Sequence, residues 1–587
     1  MATVNGSGSQ TANSVLMRAL FQMGIPVSGK NLFPSNISGL PTWFTIRVSA
    51  RGYIGRRRES EVLVAMNPET AAEDVAALRA GSAVVYDEPL KLSGLRDDLH
   101  FYPVPFDKLV APVCPEAKLR KLVRSMVYVG VLARLLGIDS EEIHTALVKQ
   151  FGARKTKAVE LNWKAVLAGR DFAEQSLDKK DPYSVRRMGD AAGRMIIDGN
   201  DACALGCLFA GVTVLTWYPI TPSSSLAETL IRKLEQYRVD PETGRRTFGV
   251  IQAEDELASI GMAIGASWAG ARAMTCTSGP GVSLMAEFVG FAYYVEIPVV
   301  IIDVQRVGPS TGLPTRTMQG DIVKNALLSH GDARHPVLFP SSPEECFTMS
   351  GQAFDLAERF QTPVFVNTDL DLGMNNWVAE PFRYPETPIQ RGKVLSAEDL
   401  DRLGGFARYK EVDGDSVGNR TLPGTNHPAA AYFTRGSGHD ENAHYSERPE
   451  VFTANMDRLA RKFETMRRHV PACVVQDAEG ARIGILCCGT SRYAAEESRD
   501  LLARDHGIPA GYLRVCAYPF PEEVNAFIDR HERVYVVDQN RDAQLKMLLH
   551  IDSTPERIAK LRSVRYYGGL PIDAGAITDE IVKQEAL

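Results

Sequence analysis

Nine cysteines are scattered through 587 residues, yet no two form a CxxC pair and none belongs to a ferredoxin-type run. An iron–sulfur cluster or zinc ribbon needs thiolates at such spacings, so this chain is expected to hold no metal of its own. Cys203 and Cys207 stand four apart in an Ala- and Gly-rich segment, where small thiols usually pack as apolar groups. Basic excess is missing too: 66 Lys and Arg against 72 Asp and Glu leave a formal charge of −6. Such a balance offers nothing to neutralise a phosphate backbone and argues against a nucleic-acid partner. The short runs Arg56-Arg57-Arg58 and Arg467-Arg468 read as solvated faces. No apolar run approaches the roughly 18 residues that span a bilayer, so no membrane partner is expected. The opening Met1-Ala-Thr-Val-Asn-Gly-Ser7 lacks the basic and apolar regions of a signal peptide. These absences leave a cytoplasmic enzyme or enzyme subunit as the expectation.

What is present is an ordinary globular composition, 44% hydrophobic and 24% charged. The length exceeds one core and suggests about three or four domains. Residues 1–185 mix strand patterns (Thr45–Val48, Glu61–Met66, Ala83–Tyr86) with an apolar-striped helix over Leu119–Gly137 and a helix start at Ser140-Glu-Glu-Ile143. Charged Leu177–Pro182 reads as a linker. Residues 190–375 carry apolar strands at Val212–Thr216, Gly249–Gln252, Ala271–Cys276, Pro298–Val304 and Pro363–Thr368, separated by helix-length spans. That alternation predicts a parallel sheet covered on both faces. Residues 376–470 are rich in Pro, Gly and polar residues and form a connecting and interface segment. Residues 471–587 alternate again and predict a second, smaller α/β domain.

Three stretches of the middle domain concentrate hydroxyls, glycines and prolines directly after strands: Tyr218-Pro219-Ile220-Thr221-Pro222-Ser-Ser224, Thr277-Ser-Gly279-Pro-Gly281, and Gln305-Arg306-Val-Gly-Pro-Ser-Thr-Gly-Leu-Pro-Thr315. Open α/β sheets build ligand sites outside the carboxyl ends of their strands. Glu254-Asp-Glu256 opens an Ala/Gly-rich helix in the same region. Those carboxylates would suit a helix N-terminus on electrostatic grounds alone. Arg306, at a strand end, has the planar fork that holds a carboxylate by two charge-assisted hydrogen bonds. Gly279 and Gly281 allow backbone to approach a ligand closely.

Taken together, these motifs resemble the pyrimidine-binding domain of thiamine-diphosphate enzymes. More narrowly, they resemble the α subunit of 2-oxoacid:ferredoxin oxidoreductases. The resemblance is strong over residues 195–375, moderate over 430–587 and weaker before 185. It implies a multidomain α/β fold: an N-terminal γ-type domain, the pyrimidine-binding domain with a parallel sheet, and a transketolase C-terminal-like domain. It implies that Glu256, whose spacing to Gly261, Gly265 and Gly270 fits the family better than that of Glu254, bonds N1′ of the aminopyrimidine. A carboxylate there favours the imino tautomer that activates the cofactor. Tyr218, Pro219, Ile220, Thr221, Gly279 and Gly281 become cofactor contacts, and Thr221, Arg306 and Thr315 substrate contacts. No Gly-Asp-Gly magnesium–diphosphate motif occurs anywhere in the chain. Half an active site is therefore expected, with Mg2+, the diphosphate site and a [4Fe-4S] cluster on a β subunit, in an (αβ)2 assembly that passes electrons to ferredoxin. The expected reaction is oxidative decarboxylation of 2-oxoglutarate to succinyl-CoA, with pyruvate or a broader 2-oxoacid range as the alternative. The γ-type domain would cover coenzyme A, with Lys30, Ser35 and Asn36 as candidate contacts; Asn5–Gln10 departs from the glycine-rich stretch expected there.

Gly24-Ile-Pro-Val-Ser-Gly-Lys30-Asn31 nearly matches the P-loop pattern, but Asn31 replaces the magnesium-binding hydroxyl and a helix pattern precedes it. A catalytically silent scaffold is the other alternative. His439, Asp440, Glu441 and His444 offer metal-ligand chemistry, but their loop resembles a structural segment of the family. Asp538-Gln-Asn540 with Gln544-Leu545 resembles a terminal-domain motif expected at a subunit interface.

Overall fold

The computed structural model describes residues 1–33, 39–152, 154–189 and 191–586, which divide into two compact units. The first comprises Met1–Ile196 with Asn375–Pro381, and the second Ile197–Met374 with Phe382–Leu587.

In the first unit, β1 (Ala2–Val4), β2 (Val27–Leu32), β3 (Pro41–Val48), β4 (Val62–Ala65), β5 (Ala83–Asp87) and β6 (His100–Val104) form a mixed sheet in the order β2-β3-β1-β4-β5-β6. Strands β4, β5 and β6 are parallel, while β3 runs antiparallel to both β1 and β2. The helices Ser9–Gln22, Ser125–Leu136 and Thr156–Ser176 enclose the main core with Val15, Leu16, Tyr128 and Val166. Two helices touch backbone to backbone where Gly130 meets Val166 and Gly169 meets Val127; a Cβ on either glycine would fall within 2.0 Å of the opposing carbonyl oxygen. Residues 117–136 are two helices, Ala117–Val123 and Ser125–Leu136, rather than the one the apolar stripe suggests. Arg124 between them reaches back to Asp87 and Asp107. The short β7 (Met195–Ile197) ends this stretch.

The second unit holds β8 (Val214–Trp217), β9 (Gly249–Gln252), β10 (Ala273–Thr277), β11 (Val299–Gln305), β12 (Val337–Leu338) and β13 (Pro363–Asp369); the next strand, β14 (Trp377–Ala379), belongs to the first unit and pairs with β7. With β18 (Ala517–Tyr518) at its edge, the main sheet runs β18-β12-β13-β11-β10-β8-β9, parallel except at β18. Apolar runs such as Val299–Val304 are fully buried, as a sheet covered by helices on both faces requires. A smaller sheet of β15 (Val474–Gln476), β16 (Ile483–Cys488), β17 (Ala510–Val515), β19 (Arg533–Asp538) and β20 (Leu561–Arg565) runs β15-β17-β16-β19-β20. Between β17 and β19 the chain leaves that sheet, and β18 (Ala517–Tyr518) pairs antiparallel with β12 of the larger one. Residues 382–470 are mostly irregular and end in the helix Pro449–Met466. A buried triad fastens that helix: Glu296 pairs with Arg458 and Lys462.

Candidate functional site

Because β11, β10, β8 and β9 are parallel neighbours, their carboxyl ends (Gln305, Thr277, Trp217 and Gln252) lie along one edge of the sheet. The motif loops leave from that edge, so topology alone gathers Arg306, Ser278–Gly281, Tyr218–Thr221 and Asp255-Glu256.

Glu256 is the first residue of the helix Glu256–Trp268, with Asp255 as its N-cap accepting from the Ala258 amide. Capping explains Asp255 and leaves the buried Glu256, 7% exposed, without a structural duty. Its carboxylate bonds to no described side chain. Gly281 sits against it: a Cβ there would lie 2.8 Å from Glu256 Cγ and 3.0 Å from Oε1, and 2.0 Å from Thr277 Oγ1. The glycine is what lets the helix Gly279–Leu284 close on the acid. Gly279 meets the Asp321 carboxylate, and its carbonyl accepts from Lys324 Nζ at 2.8 Å. Behind them Asp303, fully buried on β11, accepts from Asn325 at 2.7 Å; burial, and after it the Asp321 carboxylate, hold its pKa well above the carboxylate range.

Arg306 is 8% exposed and donates from Nη1 to the Thr221 carbonyl at 2.7 Å, while its buried Nε has no partner. Burial alone shifts its pKa, downward, and no carboxylate is among the causes. A buried guanidinium without an anion is costly and is unusual as a purely structural feature. Thr221, in a loop with a cis Thr221–Pro222 bond, has a half-buried side chain that bonds to no described residue. Asn200, fully buried, holds the neighbouring Pro222 carbonyl at 2.8 Å, a contact no sequence motif signalled. Two more buried polar atoms on this edge lack partners, Trp217 Nε1 and Ser278 Oγ. Tyr218 and Pro219 are exposed, and Ile220 is half-buried. Thr315 Oγ1 accepts from Arg316 at 3.1 Å. Leu257 and Met262 on the helix that the acid opens, and Leu284 and Phe288 on the two helices that follow Ser278, are all at least 39% exposed and make an apolar rim.

Outside this edge the sequence candidates fare differently. Lys30 lies on β2 in the first unit with its ammonium 4.1 Å from the Trp377 ring centroid. Ser35 and Asn36 fall outside the described residues. Gly29, Lys30 and Asn31 are paired in register with β3, so no phosphate-cradling loop forms there. The loop around His439 is an internal turn: the ring is buried against Tyr409, and Asp440 accepts from the Asn442 and His444 amides. Asp538, Gln539 and Asn540, expected at a subunit interface, are instead buried within this chain. Cys203 and Cys207 are both buried free thiols. Among the described residues, no group of three His, Cys, Asp or Glu side chains is placed to hold a metal, and no helix is long and apolar enough to cross a membrane.

Comparison with known proteins decides the lineage. A family described as pyruvate flavodoxin/ferredoxin oxidoreductase, thiamine diphosphate-binding, matches residues 205–388, and pyruvate ferredoxin/flavodoxin oxidoreductase matches residues 1–172. The alpha subunit of 2-oxoacid:ferredoxin oxidoreductase 2 from Aeropyrum pernix is 31% identical, over 93% of this chain and 91% of its own length. The chain belongs to the 2-oxoacid:ferredoxin oxidoreductase family, as an alpha subunit. A 2-oxoglutarate synthase subunit KorA from Methanothermobacter thermautotrophicus is 37% identical over 59% of this chain and 87% of that one. The structure of a 2-oxoglutarate:ferredoxin oxidoreductase from Magnetococcus marinus, with 2-oxoglutarate, coenzyme A and succinyl-CoA bound, matches with a TM-score of 0.89 at 27% identity, covering 99% of this chain and 98% of that one. The alpha subunit thus carries the expected multidomain α/β fold with its thiamine-diphosphate-binding domain, and its enzyme is an oxidoreductase of more than one kind of subunit.

Proposed function

We propose that this alpha subunit supplies the aminopyrimidine-side half of a thiamine-diphosphate site and the carboxylate grip for a 2-oxoacid, with 2-oxoglutarate as the substrate. The overall reaction converts 2-oxoglutarate and coenzyme A into succinyl-CoA and CO2, and two electrons pass to ferredoxin. The observation that carries the reading is Arg306: a buried guanidinium, half-anchored on Thr221, with an unpartnered Nε and no acid beside it. It fits the C1 carboxylate of an oxoacid. Thiamine diphosphate, when bound, supplies the nucleophilic carbon and the electron sink for decarboxylation.

This chain's residues do the rest of the work on their side. Glu256 holds or accepts a proton at its carboxylate in a water-poor pocket, Gly281 fixes where that carboxylate stands, and Thr221 offers a hydroxyl beside the arginine. The Glu256 carboxylate, together with the unpartnered Trp217 Nε1 and Ser278 Oγ, suits a polar ring arriving at this edge. The exposed apolar rim suits a β subunit that brings the diphosphate site, Mg2+ and a [4Fe-4S] cluster, in an (αβ)2 assembly. In the first unit a cavity of about 470 Å³ lined by Lys30, Arg47, Arg56 and Arg57 suits the phosphates of coenzyme A.

A broader 2-oxoacid range is the second reading, favoured by the Aeropyrum pernix relative, whose similarity spans 93% of this chain. Co-expression with a β subunit, then assay of 2-oxoglutarate against pyruvate with coenzyme A and a viologen dye, separates the two. Turnover is expected only from the assembled enzyme and is greater with 2-oxoglutarate. Full turnover by this chain alone would refute the half-site reading, and wild-type activity in Glu256→Ala would leave only a scaffold role.

A further inference from the structure

An open α/β sheet binds its ligand outside the carboxyl ends of the strands, in the crevice where successive connections diverge to opposite sides. In the C-terminal sheet that crevice lies between β16 and β19, since β17 neighbours β16 on one side and β19 and β20 continue on the other. No substrate or cofactor of the reading above is assigned there. The crevice is filled by this chain's own Thr317–Gly320, the end of the loop that begins with Arg306.

Gln319 is the plug. It is 3% exposed. Its Nε2 faces Asp369 Oδ2 of the main sheet at 3.2 Å, and the Thr490 hydroxyl at 3.3 Å and Cys488 carbonyl at 3.4 Å at the end of β16. Its Oε1 accepts from the Ser491 hydroxyl at 3.2 Å. From the end of β19, Asn540 Nδ2 donates to the Gln319 carbonyl at 2.9 Å, while the Gln319 amide donates to the Gln539 carbonyl at 3.0 Å. Gln544 accepts from the Val323 amide and donates to the Gly320 carbonyl at 2.6 Å. Beyond β20, the Gly569 carbonyl accepts from the Thr317 amide at 3.2 Å. Gly489 leaves the room: a Cβ there would stand 2.8 Å from Gln319 Nε2. Every strand end around the crevice therefore donates to or accepts from one short segment, at side-chain and backbone atoms alike.

We infer that the C-terminal domain of this subunit is a receptor for the substrate loop, and that Gln319, gripped at the β16/β19 crevice, is a positioning residue that sets where Arg306 and Thr315 meet the oxoacid. Within the loop Val307 pairs with Leu313 and Arg316, and near its end Thr317 Oγ1 accepts from the Asp371 amide at 3.3 Å. Its start is fixed by Arg306 on Thr221 and its end by Gln319 in the crevice. Loosening the end leaves the arginine's strand intact and lets the rest of the loop wander. Shifts of about 1 Å in such positioning elements cost large factors in turnover or binding.

The inference rests on the assignment of Arg306 and Thr315 to substrate, so the test carries Arg306→Met as a reference. In the assembled enzyme, Gln319→Met and Asn540→Leu are each expected to raise the KM for the oxoacid about tenfold while leaving the KM for coenzyme A unmoved. Ser498→Ala, which removes a buried hydroxyl pair with Thr578 in the same domain, is expected to lower the melting temperature without moving either KM. Should Arg306→Met leave the oxoacid KM unmoved, the substrate assignment fails and the inference goes with it. Should Arg306→Met raise it while both brace variants stay within twofold, the brace alone is refuted. A wild-type measurement stands independent of variant folding. The Thr317 and Gln319 amides should exchange hydrogen as slowly as those of β19, and rapid exchange there would overturn the inference.

Discussion

Replacing Gly281 with alanine is the sharpest probe of the acid. The new Cβ would stand 2.0 Å from Thr277 Oγ1, 2.8 Å from Glu256 Cγ and 3.0 Å from Glu256 Oε1. Ordinary contact needs roughly 3.5 Å, so the threonine oxygen must move about 1.5 Å and the glutamate about half to one ångström. Overpacking of this kind costs about 1–3 kcal/mol of stability. Displacing a proton-handling carboxylate by that distance costs about 10²-fold in the step it serves. The assay is exchange of the C2 proton of bound thiamine diphosphate for deuterium, followed by NMR in the assembled enzyme, beside a melting curve. Adding Thr277→Ala removes the worst clash and should restore the melting temperature, while the Glu256 contact persists and exchange stays slow. If exchange recovers together with stability, or never slows in Gly281→Ala, then Glu256 is not the activating acid.

Further expectations follow from buried charge. His335 is fully buried and its Nε2 bonds the Leu328 carbonyl at 2.7 Å; burial lowers its pKa to about 4. Between an unfolded value of about 6.5 and that folded value the unfolded chain binds more protons, so stability should fall as pH drops, by about 3 kcal/mol in full. His335→Gln should flatten that acid slope in denaturant titrations, and an unchanged slope would contradict the assignment. Glu296→Gln weakens the partner of Arg458 and Lys462 deep in the fold and should cost about 3–5 kcal/mol, with Lys462→Met added to it recovering part of the loss. Strictly additive losses in that pair would refute the triad's coupling.

The middle sheet was legible because its strands are unbroken apolar runs that stop where a Gly/Pro/hydroxyl loop begins. Gly249–Gln252 falls where the pattern puts it, and the other motif strands are displaced by only one or two residues. Glu256 and Arg306 were legible through their motifs, and the sheet topology brings their strand ends to one edge. The misses share a cause. Strands β12 and β18 are each two residues long and pair only with strands distant in sequence, β12 with β13 and β18 with β12, so no local period announces them. Asp181 sits in a charged stretch that reads as a linker, yet it is buried under Tyr102 OH and Lys179. Asn200 and Gln319 carry no pattern at all. Their roles depend on which loops the fold carries to them, and an amide side chain looks the same in a sequence whether it is solvated or holds a crevice together.

The two-residue crossing of β18 onto β12 also constrains how this polypeptide can be divided. A chain ended at Val470 would keep β8 to β13 but strip the covering strand from Val337 and Leu338, whose outward amides and carbonyls would then face solvent beside bare apolar side chains. Unprotected borders of that sort recruit other copies of themselves. Recombinant fragments should therefore retain residues through the final α/β lobe, and natural gene fission within this lineage should favour cuts elsewhere.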